Sequence, residues 1–291
     1  MNIVWLPRDE RVNPCHQVSA HLTIAVFPDL QRKQSIRILP ELYYDDPKEA
    51  EIALIPLVED TCSEAIAKFP EVLHGLVKYV TTNKLRALHK GINPVELTIY
   101  LFLPVEFLGY SLKYWCSESS KLATSYPVVV GCSDRFNPDR DDSWRLHNQL
   151  KKGWERLSKS ATALRQVKWI QPDESFNGDL ERYAGLQCFG HWLKSGEKYL
   201  DRWEKLVESG IPLALWMCEV EADREAIAQT FNSLTDCNVS EFLQRVRQER
   251  RQPSISVANS GYHLGVFYED PNYVPTVPPQ DEDEPFFSWP Q

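Results

Sequence analysis

Two apolar runs separated by the length of a helix dominate the pattern of this chain. Leu97-Thr98-Ile99-Tyr100-Leu101-Phe102-Leu103-Pro104 is almost unbroken, rich in β-branched and aromatic residues, and closed by proline. Such a run suits a strand buried on both faces. Tyr126-Pro127-Val128-Val129-Val130-Gly131-Cys132 repeats the signal. Residues 107–122 between them are long enough for a crossover, with Leu108, Leu112 and Trp115 spaced for one helical face. The pattern predicts a parallel, right-handed β-α-β unit over residues 96–136, from which the core is built outward.

On the amino side, residues 19–26 run toward a turn at Pro28-Asp29, and residues 35–44 alternate Ile36, Ile38 and Leu39 with polar neighbours. The two read as an antiparallel hairpin at the edge of a parallel sheet. Residues 51–58 are either a further strand or a short connection. Residues 62–89 read as helical, with Ile66, Phe69, Leu73, Leu76, Val77, Val80 and Leu85 recurring at helical spacing and Pro70 expected to divide two helices. After the central unit, residues 144–164 form a basic amphipathic helix with Leu150, Trp154, Leu157 and Ala161 on one face. Residues 167–170, 186–192, 211–217 and 262–268 read as strands, and residues 197–209, 222–234 and 239–251 as helices, the first of them stopped by Gly210.

The fold class expected is therefore α/β: a largely parallel sheet flanked by helices, with an N-terminal antiparallel hairpin. It occupies residues 19–270 as a single domain, after an N-terminal segment of residues 1–18. Residues 271–291 are acidic and proline-rich and are expected to be disordered, with an aromatic end that docks elsewhere.

A chain of 291 residues can bury a full core, and 43% hydrophobic with 25% charged residues is ordinary for a soluble globular protein. Nine tryptophans promise large anchors in the core or on a partner-facing surface. The formal charge of −9 argues against binding nucleic acid mainly through phosphates. Six acids but no Lys or Arg lie from Tyr268 to Gln291, so the body before them carries only −3 of that charge and has room for a local basic patch. The seven cysteines are scattered, odd in number and never in a CxxC pair, which fits reduced thiols in the cytoplasm. Neither a signal-peptide-like start nor an apolar run of the roughly 20 residues needed to span a bilayer is present, so no membrane association is expected.

Phosphate-loop, dinucleotide, nucleophile-elbow and zinc-protease signatures are absent, and no cofactor is expected. The most enzyme-like cluster is Asp134, Arg135, Asp139, Arg140, Asp141 and Asp142, beyond the end of a buried strand where open α/β sheets place ligands. Carboxylates there suit Mg²⁺ and a phosphodiester cut, so a metal-dependent nuclease or phosphodiesterase is the alternative reading. The adjoining strands supply neither the acid nor the lysine it also needs, and a loop whose charges pair with one another is the plainer account. Cys132 with His147 or His191 sketches a Cys-His dyad, although a cysteine closing an apolar strand usually serves as a small core hydrophobe. Arg245, Arg247, Arg250 and Arg251 share a helix with Glu241 and Glu249, which favours a solvated face or a protein contact. Asp281-Glu282-Asp283-Glu284-Pro285-Phe286-Phe287 is either a linear motif for a basic, hydrophobic groove or a solubilising end.

Several phrases recur in the order of one family. These are residues 96–108, Tyr114-Trp115, Tyr126-Pro127-Val128-Val129-Val130, Asp134-Arg135, Trp154, Gly210-Ile211-Pro212-Leu213-Ala214-Leu215-Trp216, and residues 264–271. Together they resemble the C-terminal domain of the vWA-MoxR-associated proteins, over roughly residues 19–270. The chain departs from that pattern at Gly131 and at Met217-Cys218, where basic residues would be expected. The resemblance implies an interaction module of bacterial conflict or antiviral defence systems. Such modules accompany trypsin-like or caspase-like proteases, or a vWA protein with a MoxR-type ATPase. The expectation is a non-enzymatic adaptor or regulator that binds a separately encoded effector. Its candidate contact residues are Asp134, Arg135, Trp216, Arg247, Arg250, Arg251, Phe286, Phe287 and Trp289. In a further alternative, the acidic segment is the substrate of a partner protease.

Overall fold

The computed structural model describes residues 19–28, 35–44, 53–54, 58–85, 96–110, 122–137, 140–159, 164, 168–170, 186–188, 197–217, 224–251 and 264–275. In chain order, β1 (Ser19–Pro28) and β2 (Ser35–Tyr44) form the expected hairpin, with Ala20 opposite Tyr44 and Pro28 opposite Ile36. β3 (Ala53–Leu54) and β4 (Val58–Thr61) both pair antiparallel with β2, so strand occupies part of residues 51–58. There follow α1 (Cys62–Tyr79), β5 (Glu96–Leu103), α2 (Leu122–Ser125), β6 (Val128–Cys132), α3 (Ser143–Ser158), β7 (Lys168–Ile170), β8 (Leu186–Cys188) and α4 (Glu197–Glu208). The described elements close with β9 (Leu213–Met217), α5 (Arg224–Thr235), α6 (Val239–Arg251) and β10 (Leu264–Tyr268).

One sheet takes the order β3-β2-β1-β5-β6-β10-β9-β8-β7, with β4 also on β2. β1, β5, β6 and β10 are parallel, with β5 and β6 paired as the central unit requires. β9 runs against β10 and carries β8 and β7 parallel to itself. The sheet thus consists of two parallel blocks of opposite direction, with a second antiparallel junction beyond the hairpin. Its cause is the connection. A single crossover helix returns a chain to the edge where the last strand began, whereas α5 followed by α6 leaves it at the other edge.

Alternate residues of the central strands enter two cores. Leu22, Ile24, Ile99, Leu101, Val128, Val130 and Phe267 face Leu73, Leu76 and Val77 of α1 and Trp203 and Leu206 of α4. Ala25, Phe27, Tyr100, Phe102, Val129 and Val266 face Ile227, Phe231 and Leu234 of α5 and Phe242 and Val246 of α6. That double burial explains the unbroken apolar run of β5. Segment 269–275 continues over the second core, where Tyr273 stacks on His21 with ring centroids 4.0 Å apart. The Tyr43 hydroxyl donates to the Val274 carbonyl at 3.1 Å. Residues 271–275, read from composition as the start of a disordered segment, are therefore packed on the body.

Two expectations change. α1 runs through Pro70 and passes into a π-helical stretch, Val80–Leu85. The missing N–H at Pro70 removes one hydrogen bond, while the apolar face of Phe69, Leu73, Leu76 and Val80 keeps the helix seated on the sheet. The buried stripe of α3 is Leu146, Leu150, Gly153 and Leu157, with Trp154 half-buried edge-on to Tyr268. The crossover segment 111–121 and Ala161 lie outside the described residues.

α3 crosses the turn before β9 closely enough that a Cβ at Gly153 would lie 1.8 Å from the Gly210 carbonyl oxygen. Gly210 holds φ +68°, the left-handed cap that ends α4. Gly153→Ala is expected to lower stability by about 3 kcal/mol, through a shift of the urea midpoint at unchanged slope. Gly75, exposed on α1 with nothing within 4 Å of a built Cβ, is the control. Gly75→Ala is expected to raise stability by up to about 1 kcal/mol.

Candidate functional site

At the carboxyl edge of β5, β6 and β10 the chain makes two short 3-10 turns, Val105–Phe107 and Ser133–Arg135. Arg135 Nε lies 3.1 Å from Glu269 Oε2, and both side chains are fully buried. The contact is an ion pair without the alignment of a hydrogen bond. The Cys132 N–H donates to Glu269 Oε1 at 2.7 Å, and Arg135 Nη1 donates to the Leu146 carbonyl at 3.3 Å. The Glu269 N–H donates to the Pro212 carbonyl at 2.9 Å. The end of β6, helix α3 and the chain after β10 are thereby tied together. Gly131 allows the approach, since a Cβ there would lie 2.7 Å from Phe102 Cε1 and 3.1 Å from Glu269 Cγ.

Burial pushes the Glu269 carboxyl up to about 7, against the opposing pull of Arg135 and the Cys132 N–H. Burial, with Asp134 and Glu269 adding to it, also raises the Cys132 thiol well above its ordinary value. A thiol held protonated is a poor nucleophile, and Cys132 serves as a small hydrophobe. His147 sits edge-on to Phe136 with ring centroids 5.4 Å apart, its pKa lowered first by burial and then by Lys151 and Arg135. His191 lies outside the described residues.

An outer layer of charges covers this pair. Asp134 Oδ2 accepts from the Val105 N–H at 3.1 Å and meets Arg140 Nη1 at 3.4 Å. Arg140 Nε donates to Asp142 Oδ1 at 2.5 Å, and Arg145 Nη2 donates to Asp142 Oδ2 at 2.9 Å. The Arg140 hydrogen bond is the main cause of a lowered pKa at Asp142. Burial raises Asp134, and burial followed by the Asp134 charge raises Glu106. The loop charges pair with one another. Among the described residues no three His, Cys, Asp or Glu side chains are grouped to hold a metal. Asp141 is exposed, and Asp139 lies outside the described residues. In the first turn of α3, Trp144 is 69% exposed, the large apolar side chain that most breaks the burial rule among the described residues. Sequence reading passed over it; the available signal was its position off the stripe of Leu146, Leu150 and Leu157.

The other candidates lie elsewhere. Trp216 is fully buried, edge-on to Trp203 at 5.1 Å, and fills the space beside Gly265. Arg250 is only 3% exposed and bridges the starts of two strands, donating to the Val128 carbonyl at 2.6 Å and the Leu264 carbonyl at 3.2 Å. Arg251 Nε donates to the Thr124 carbonyl at 2.8 Å, and Arg247 Nη1 lies 3.9 Å from Glu96 Oε1. These three arginines turn toward the body, at the sheet edge opposite Asp134 and Arg135. Phe286, Phe287 and Trp289 lie outside the described residues.

Among the described residues no helix is long and apolar enough to cross a membrane. A family model described as vWA-MoxR associated protein C-terminal domain matches residues 42–271. No curated protein and no solved structure matches the chain.

Because the Glu269 pKa is raised on folding, the native state holds this proton more tightly than the unfolded chain, where a glutamate titrates near ~4.3. Its contribution to stability is complete below that value and is lost as pH rises through about 7. The urea midpoint of the wild type is expected to fall from about pH 5 to about pH 8 more steeply than that of Glu269→Gln. Parallel profiles would show a carboxylate ionised throughout.

Proposed function

The chain belongs to the vWA-MoxR-associated protein C-terminal domain family, whose model covers most of its length, and from that premise we propose that it is a non-enzymatic adaptor. It binds an effector protein, a protease or a vWA protein with its MoxR-type ATPase, in a bacterial conflict or defence system. The family match carries this reading. The surface that supports it is the outer layer around Arg140, Asp142, Trp144 and Arg145, where an exposed tryptophan stands among arginines. Tryptophan and arginine are the side chains most often found at the energetic centre of protein interfaces. The carboxylates that would serve a nuclease, Asp134 and Asp142, are engaged by Arg140 and Arg145.

The test mixes the purified chain with the vWA, ATPase and protease products encoded beside its gene and follows complex formation by size-exclusion chromatography with light scattering. A stable complex is expected with at least one of them, weakened about 30-fold by Trp144→Ala at an unchanged urea midpoint. Failure to form any complex removes the adaptor reading. Mg²⁺-dependent cleavage of nucleic acid that disappears in Asp134→Ala would replace it with the hydrolase.

A further inference from the structure

The solvent side of α3 carries charge of the opposite sign to the rest of the chain. Residues 143–159 hold five basic residues and one acid, a local charge of +4 within a formal total of −9. Trp144, Lys151, Lys152, Glu155 and the adjoining Lys159 are exposed. At 3.6 residues per turn they fall within an arc of about 100°, flanked by the half-buried Arg156. Two of the cations are answered locally, Arg145 by Asp142 at 2.9 Å and Lys159 by Glu155 at 3.6 Å. Lys151, Lys152 and Arg156 have no acidic partner among the described residues, and Arg156 Nε and Nη2 have no hydrogen-bond partner.

The free cations lie to one side of the indole. Along the helix axis, at 1.5 Å per residue, Lys151 and Lys152 stand about 10.5 and 12 Å from Trp144, and Arg156 about 18 Å. On its other side Trp144 is preceded by Asp141 and Asp142. We propose that this face takes an acidic segment of a partner protein. One apolar or aromatic side chain of that segment packs on Trp144, and carboxylates three to six residues away lie over Lys151, Lys152 and Arg156. In extended chain that separation is about 10–20 Å, the interval the cations occupy.

Other occupants suit the face less well. Nucleic acid binds through about six to ten phosphates, and three free cations beside Asp141, Asp142 and Glu155 answer few of them. A bilayer takes up a whole apolar helix face, and that of α3, Leu146, Leu150 and Leu157, is buried in the core. A second copy has no other exposed large apolar side chain to offer among the described residues. Setting Trp144 against its own copy brings two like-charged faces together. Naming the partner an effector rests on the adaptor reading. Recognition of an acidic, aromatic sequence does not, and it is tested on the full chain alone.

The probe is a fluorescein-labelled peptide with one phenylalanine and, three residues on, four consecutive glutamates. It is made in both chain directions and titrated with the full-length protein by fluorescence anisotropy. Saturable binding is expected for at least one direction. It should weaken about tenfold when glutamines replace the glutamates, about tenfold in ~0.5 M salt and about tenfold in Trp144→Ala. Lys151→Glu/Lys152→Glu should weaken it by more than about tenfold, because reversed charges repel the acids. Both variants change exposed side chains and should keep the wild-type urea midpoint. Absent binding, equal binding of the glutamine peptide, or indifference to Trp144→Ala would overturn the site. Tighter Trp144-dependent binding of an oligothymidylate or of phosphatidylserine vesicles would assign the face to phosphates and overturn it too. So would a dimer, seen by light scattering, that Trp144→Ala dissociates. The adaptor reading fails separately: peptide binding with no complex among the vWA, ATPase and protease products removes the adaptor and leaves the site. A complex formed by a chain that ignores the peptide removes the site and leaves the adaptor.

Discussion

The Arg135–Glu269 ion pair is the constraint on which the carboxyl edge of this sheet depends. Removing two charges from water costs several kcal/mol each, and their attraction compensates only where the remaining polar atoms also find partners. Here the second carboxylate oxygen takes the Cys132 N–H and Arg135 Nη1 reaches the Leu146 carbonyl, while Arg135 Nη2 finds no hydrogen-bond partner among the described residues. The pair therefore acts through specification more than through net stability. It joins the end of β6 to the chain after β10 and to the first buried turn of α3. Trp144 lies two residues before Leu146, so the anchoring of Leu146 is also what orients the exposed indole.

The same arrangement gives this edge its character. In open parallel sheets the carboxyl ends of the strands usually border a ligand crevice. In this protein Ser133, Asp134 and Arg135 are buried there, and Asp134 caps the neighbouring turn at Val105. Gly131 is part of the device, because a side chain at that position would hold Glu269 away from Cys132. The edge is a joint between segments, with its free chemistry displaced outward to the first turn of α3.

Much of the frame was legible before any coordinates. β5 and β6 could be read because burial on two faces leaves an uninterrupted apolar run, and Gly210 because a left-handed cap favours glycine. The β10–β9 junction was not legible, since direction depends on how many helices intervene and pairing partners are remote in sequence. Pro70 misled because its local cost is outweighed by a continuous apolar face. Arg247, Arg250 and Arg251 read as an outward basic run, yet Arg250 turns inward to the carbonyls of Val128 and Leu264, a destination visible only in three dimensions. Glu269 was in view as the acid following the last strand, and Arg135 as the base following another. Only the assembled sheet shows that these strand ends are neighbours with opposite charges. Trp144 was legible only as a tryptophan lying off the stripe of Leu146, Leu150 and Leu157, and its exposure is what marks it in the folded chain.

The reversal between β10 and β9 has a geometric consequence. The block ending at Cys132 and Tyr268 terminates at one pole of the molecule, and the block ending at Met217 terminates at the other. A five-residue strand is about 17 Å long, so the two poles are held apart by the length of the sheet. Residues that follow the strands of one block, Asp134 and Glu269 among them, therefore cannot share a site with residues that follow the strands of the other.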